Sequence, residues 1–126
     1  MADRARATYC VLRQFAEEFG DLRFPTLVKL GFQTDDQKNH EHLWFEVGIL
    51  RDGSVSATLI NTASGIASLK AGTSGEWSIE NLSDWVIMTP KGSITPANFL
   101  PARDVRSDRE EVARIMSESR RSGDST

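Results

Sequence analysis

The residues with the clearest chemical potential stand at 40–46. His40-Glu41-His42 sets two imidazoles two positions apart. On a strand such residues share a face, so both can reach one metal ion, with Glu46 or a distant acid completing the site. The chain offers no third histidine, and its one cysteine, Cys10, lies in another segment. A metalloprotease helix needs H-E-x-x-H, which is absent. The expectation is therefore no metal, with one histidine solvated and the other partly buried and hydrogen-bonded; His40 and His42 are the pair to examine for an ion.

Other routes to catalysis are equally bare. Ser83-Asp84 could meet His42, but no G-x-S-x-G elbow surrounds the serine. Asp84 is better accounted for by turn chemistry, its carboxylate accepting a backbone amide. Cys10 has only generic arginines near it to stabilise a thiolate. Asp35-Asp36 and Glu17-Glu18 are adjacent pairs without the separation that glycoside hydrolysis requires. Neither phosphate-cradling glycine pattern occurs, so no cofactor and no catalytic residue are assigned.

Three tryptophans carry more information. Trp44 alternates with Leu43 and Phe45 and shares its face with His42 and Glu46. Tryptophan is seldom left bare and is enriched at interface hot spots. Trp44 is therefore expected to be covered by a terminal helix or, failing that, presented for binding. Trp77 and Trp85 each fall in a short apolar segment.

The elements that must position these residues follow from the pattern of apolar positions. Leu12, Phe15, Ala16 and Phe19 keep helical spacing, with Gly20 placed for a left-handed cap and Pro25 forbidding continuation. Segments 27–32, 42–50, 54–60, 77–79, 85–88 and 93–99 read as strands, with Pro96 demoting the last to an edge or a bulge. Arg51-Asp52-Gly53 joins two of them as a hairpin, and Asn81 to Asp84 reads as a tight turn. Asn61 to Gly75 reads as a loop with room for one helical turn around Ile66 to Leu69. Ser107-Asp108-Arg109-Glu110 has the form of a capping box opening a C-terminal helix with a Val112, Ile115, Met116 stripe, and Arg120 to Thr126 is expected to fray. The sum is an α+β fold: an N-terminal helix, a small, strongly bent antiparallel sheet of about five strands resembling a half-open barrel, and a C-terminal helix. Residues 1–100 are read as a single domain and 101–126 as the C-terminal helix and tail.

Composition narrows the function classes. The 126 residues are 39% hydrophobic and 26% charged, as in one globular domain. No apolar run nears the roughly 20 residues that span a bilayer, and the polar start leads into no signal-peptide core. With a single cysteine, a reducing cytoplasm is the expected location. Residues 21–100 hold six bases against nine acids and account for the whole net charge of −3; both ends balance. A nucleic-acid module concentrates basic charge, so nucleic acid is not an expected partner, nor is a membrane.

Four stretches stand in order: Glu41-His42-Leu43-Trp44-Phe45-Glu46-Val47, Ala57-Thr58-Leu59-Ile60-Asn61, Leu69-Lys70-Ala71-Gly72 and Leu82-Ser83-Asp84-Trp85-Val86-Ile87. Together with Ala5-Arg6-Ala7-Thr8-Tyr9 they resemble the bacterial "domain of unknown function 2314" family, with its E-H-x-W-x-E-V strand and I-S-D-W turn. The resemblance runs from about Ala5 to Ile94. It departs at Thr95-Pro96-Ala97-Asn98 and at Asn61-Thr62-Ala63, and His40 lies outside the pattern. It implies a candidate binding set of His42, Trp44, Glu46, Asn61, Asp84 and Trp85, and no reaction. The resulting expectation is a small non-catalytic binding or adaptor module that engages a protein partner, with an immunity-type inhibitor as a specialised form. The alternative is a small-molecule-binding or hydrolytic domain around His42, Glu46, Asn61 and Asp84.

Overall fold

Alternation of apolar and polar residues makes the long central hairpin. In the computed structural model, which describes residues 2–124, strand β2 (His40–Leu50) pairs antiparallel with β3 (Ser54–Leu59) across the Arg51–Gly53 turn. Phe45 stands opposite Leu59 and Val47 opposite Ala57. The register then shifts at Gly48, so Ile49 faces Ser56. One inserted residue reverses the alternation beyond it. Ile49, which strict alternation from Leu43 through Phe45 and Val47 would put on their face, is turned to the other face and is 53% exposed.

Six strands form one sheet, in the order β4-β3-β2-β1-β5-β6, where about five were expected. β1 (Thr26–Gln33) lies between β2 and β5 (Leu82–Thr89), while β4 (Ser74–Ser78) and β6 (Gly92–Ile94) are its edges. Every pairing is antiparallel and the sheet stays open. β4 begins within the stretch read as loop, because Ser74 and Gly75 complete the ladder against Thr58 and Ala57. The expected turn at Asn81–Asp84 sits earlier, as a 3-10 turn at Ile79–Asn81 whose Glu80 amide donates to the Ser78 hydroxyl. β6 stops at Ile94, two residues before Pro96, which has no amide proton to continue a ladder.

The helices divide more finely than their periodicity implies. α1 (Ala2–Ala7) and α2 (Tyr9–Glu18) break at Thr8, whose hydroxyl donates to the Arg4 carbonyl and accepts from the Trp85 indole. Gly20 does not take the left-handed cap. The chain tightens into a 3-10 turn at Gly20–Leu22, and Arg23 adopts φ 55° instead. At the other end α3 (Leu100–Ser107) starts well before the expected capping box, with Pro101 in its first turn and the Leu100 amide donating to Asn98. Ser107 therefore ends a helix rather than opening one, and α4 (Arg109–Asp124) follows after Asp108. The expected fraying from Arg120 lies partly outside the described residues; α4 is helical through Asp124.

All four helices pack on one face of the sheet. Val28, Leu30, Leu43, Phe45, Trp85 and Ile87 meet Ala5, Tyr9, Leu12 and Phe15 in a single core that also takes Ala102, Val105 and Val112. At the far end the 61–73 loop closes the same face with Ala63, Ile66 and Leu69. The Tyr9 hydroxyl reaches the Arg51 and Ser54 carbonyls and ties α2 to the hairpin turn. None of the described helices is long and apolar enough to cross a membrane.

Candidate functional site

The opposite face of the sheet carries no helix. Cross-strand register fixes what it presents. Leu27 stands opposite Glu46, Lys29 opposite Trp44, and Gly31 opposite His42; on the other side of β1, Val86 and Asp84 flank Leu27 and Lys29. Residues that pair across strands share a face. The neighbours of these residues along each strand, Val28, Leu30, Leu43, Phe45 and Trp85, are buried in the core. Ile60 continues the row from Trp44, its amide donating to the Trp44 carbonyl. The face therefore mixes Leu27, Trp44, Ile60, Val86 and Met88 with Lys29, His42, Glu46 and Asp84. Ile60 is 42% exposed and Met88 39%.

His42 is held at one nitrogen only. Its Nδ1 lies 3.1 Å from the Ser83 hydroxyl, and that hydroxyl donates its single proton to the Lys29 carbonyl. With that proton on the Lys29 carbonyl, Ser83 accepts from Nδ1–H in the matching tautomer, and Nε2 of the neutral ring keeps a free lone pair. The imidazole lies against Gly31, where a Cβ would stand 2.9 Å from its Cε1. Glycine in a strand interior is the one sequence signal of this close approach. The hydrogen-bond order is the reverse of a nucleophile–base pair, in which serine would donate to histidine. Asp84 gives Oδ1 to the Trp85 amide.

Trp44 is half-buried on this face with no helix over it, contrary to the expectation of a covering helix. Both terminal segments pack on the apolar face instead, where the stronger burial lies. The Lys29 ammonium sits 5.6 Å from the Trp44 ring. Glu46 borders a shallow trough of about 630 Å³ running over Gly48, Ser56, Thr58, Ser74 and Gly75. It also borders a cleft of about 470 Å³ formed by Phe15, Phe19, Phe24, Pro25, Leu50 and Ile87 where β2 outruns β1.

The remaining candidates fall elsewhere. Trp85 is fully buried, stacks on Phe99 and donates its indole proton to Thr8, so it is a core residue. Asn61 is exposed just past β3 and lines neither of the two cavities beside Glu46. His40 and His42 do share a face, yet among the described residues no three His, Cys, Asp or Glu side chains gather closely enough to hold an ion. Trp77 closes the apolar face against Phe32 and Phe45.

Glu41, passed over as a spacer between the histidines, is the side chain that fastens the loops. Its carboxylate accepts the amides of Ser64 and Gly65, both at 2.8 Å, which holds its pKa below the ordinary glutamate value. Asp35 takes the Ala67 amide in the same junction. Asp36 is likewise lowered, by the Thr34 hydroxyl and the Lys38 amide within its own turn.

No curated protein and no solved structure matches the chain. The family model described as an uncharacterized protein conserved in bacteria, DUF2314, matches residues 3–98, about three quarters of the sequence, and the chain belongs to that family.

Proposed function

We propose that this protein is a non-catalytic binding module of the cytoplasm, and that its open sheet face engages a protein partner. The observation that supports this reading is the one-sided architecture: every helix lies on one face, and the other keeps a tryptophan and a set of branched apolar residues uncovered. An aromatic anchor ringed by polar side chains is the composition of an interface core with its rim. The hydrogen-bond order around Ser83 favours binding over hydrolysis. A small, acidic, single-core chain also suits an inhibitor-type adaptor that covers a partner's working surface. The exposed, unpaired Cys10 agrees with a reducing compartment.

Affinity capture from the native cell tests the face. The wild-type chain, Trp44→Ala and Ile60→Asp are compared with Leu100→Asp, which alters an exposed apolar residue on the helical side. The expected result is a partner retained by wild type and Leu100→Asp and lost by both open-face variants. Retention by all four would remove the open face from consideration.

A further inference from the structure

Beside its apolar residues and Lys29, the open face presents two carboxylates, Glu46 and Asp84, that no cation of the described residues neutralises. Among the described residues, Glu46 and Asp84 enter no ion pair, whereas several cations of the helical side and of the hairpin turn are paired: Arg13 with Asp52, Arg51 with Glu76, Arg106 with Glu18 and Arg109 with Asp21. Lys29 has Asp84 directly across on β5, yet its ammonium lies over Trp44 on the β2 side. That leaves the Asp84 carboxylate with one oxygen on the Trp85 amide and the other open. His42 adds an acceptor at Nε2, since its Nδ1 proton is committed to Ser83. The trough beside Glu46 is floored by two glycines and the hydroxyls of Ser56, Thr58 and Ser74. Arg51 stands at its far end and is already paired with Glu76. A long cationic side chain suits such a trough: its stem can lie against the exposed Ile49 of the lining, and its head needs the carboxylate at the end.

We propose that the open face docks a basic protein surface, placing an apolar contact on Trp44 and an arginine or lysine in the trough against Glu46. This rests on the open face being the docking face, and it names the partner's chemistry. Charge of this kind governs specificity and association rate, so binding falls steeply as salt rises.

The test uses the full chain with a benzophenone photocross-linker at Ile60, illuminated in the native cell, and the cross-linked protein is then purified and titrated with the chain. The expected result is a protein whose cross-linked surface is rich in Arg and Lys. Its affinity should drop about tenfold or more with Glu46→Gln or Asp84→Asn, both exposed or half-exposed changes that leave the melting temperature in place. Should Trp44→Ala abolish binding while Glu46→Gln and Asp84→Asn bind as wild type, the docking face stands and the basic partner is overturned. A product that is a second copy of the chain, a nucleic acid or a lipid also overturns it. The absence of any cross-linked species removes the docking face and this proposal together.

Discussion

Gly31 and His42 show how one missing side chain sets the state of another. The imidazole fills the place that a Cβ at residue 31 would occupy, and this position lets Nδ1 reach Ser83. Gly31→Ala therefore has to push the ring aside. The fold should survive, because the obstructing atoms are the end of a side chain and alanine suits a strand better than glycine by about 0.5–1 kcal/mol. What changes is the tautomer. In alkaline solution, where the ring is neutral, nitrogen-15 NMR of His42 is expected to show the proton on Nδ1 in the wild type and a mixture in Gly31→Ala. A wild-type ring protonated at Nε2 would contradict the hydrogen-bond order drawn here. The two tryptophans make the matching contrast. Trp85→Ala empties a fully buried site and should cost about 3–5 kcal/mol. Trp44→Ala loses a half-exposed ring and a cation–π contact worth about 0.5–1 kcal/mol.

At the scale of elements, the 61–73 loop is tied to β3 by backbone bonds between Leu59 and residues 72–73, while its 64–67 part is held by the Asp35 amide on the Gly65 carbonyl and by bonds to carboxylates. Glu41 takes two of its amides, and Gly65 fits only because it lacks a Cβ, which would lie 2.9 Å from Thr34 Cγ2. The lowered pKa of Glu41 gives the sign of the pH effect. A carboxyl with a depressed folded-state pKa stabilises the fold above its unfolded value and ceases to do so as pH falls through the folded value. The protection of the Ser64 and Gly65 amides against exchange, relative to an unfolded chain at the same pH, is thus expected to hold from neutral pH down to the ordinary glutamate value of 4.5 and to fall below it. Glu41→Gln, which cannot offer two anionic acceptors, should show low protection of both amides at every pH. Equal protection in the variant would mean that packing of Ile66 and Leu69, not the carboxylate, holds the loop.

The whole molecule is a two-layer sandwich of which only one outer side is finished. α3 and α4 fall beyond the residues the family model matches, yet Ala102, Val105 and Val112 are fully buried in the common core. Arg106 lies over the rings of Phe15 and Phe19, and the helices are further joined to Glu18 of α2 and to Asp21 of the 3-10 turn after it. Exposed ion pairs of that kind contribute at most about 1 kcal/mol each, so apolar burial carries the attachment. Val105→Ala should accordingly lower unfolding stability by about 1–3 kcal/mol in urea titration, with one cooperative transition. Two separate transitions would show that α3 and α4 are a body of their own.

Much of this was legible in the order of residues. The period of two from His42 to Val47 separates Leu43, Phe45 and Val47 from His42, Trp44 and Glu46, whatever the rest of the chain does, because side chains on a strand must alternate. The α+β class, the Arg51–Gly53 hairpin and the membership of the family follow from equally local patterns. Local pattern could not say which of the two faces the helices would cover. That depends on Leu12, Phe15, Val105 and Val112 returning across tens of residues to the same side, and on the extra residue at Gly48 that turns Ile49 outward. For the same reason Trp44 and Trp85, alike in sequence context, part company. Trp85 alternates into the face the helices close, and Trp44 into the one they leave open, so only the tertiary structure made one a core residue and left the other half-buried on an uncovered face.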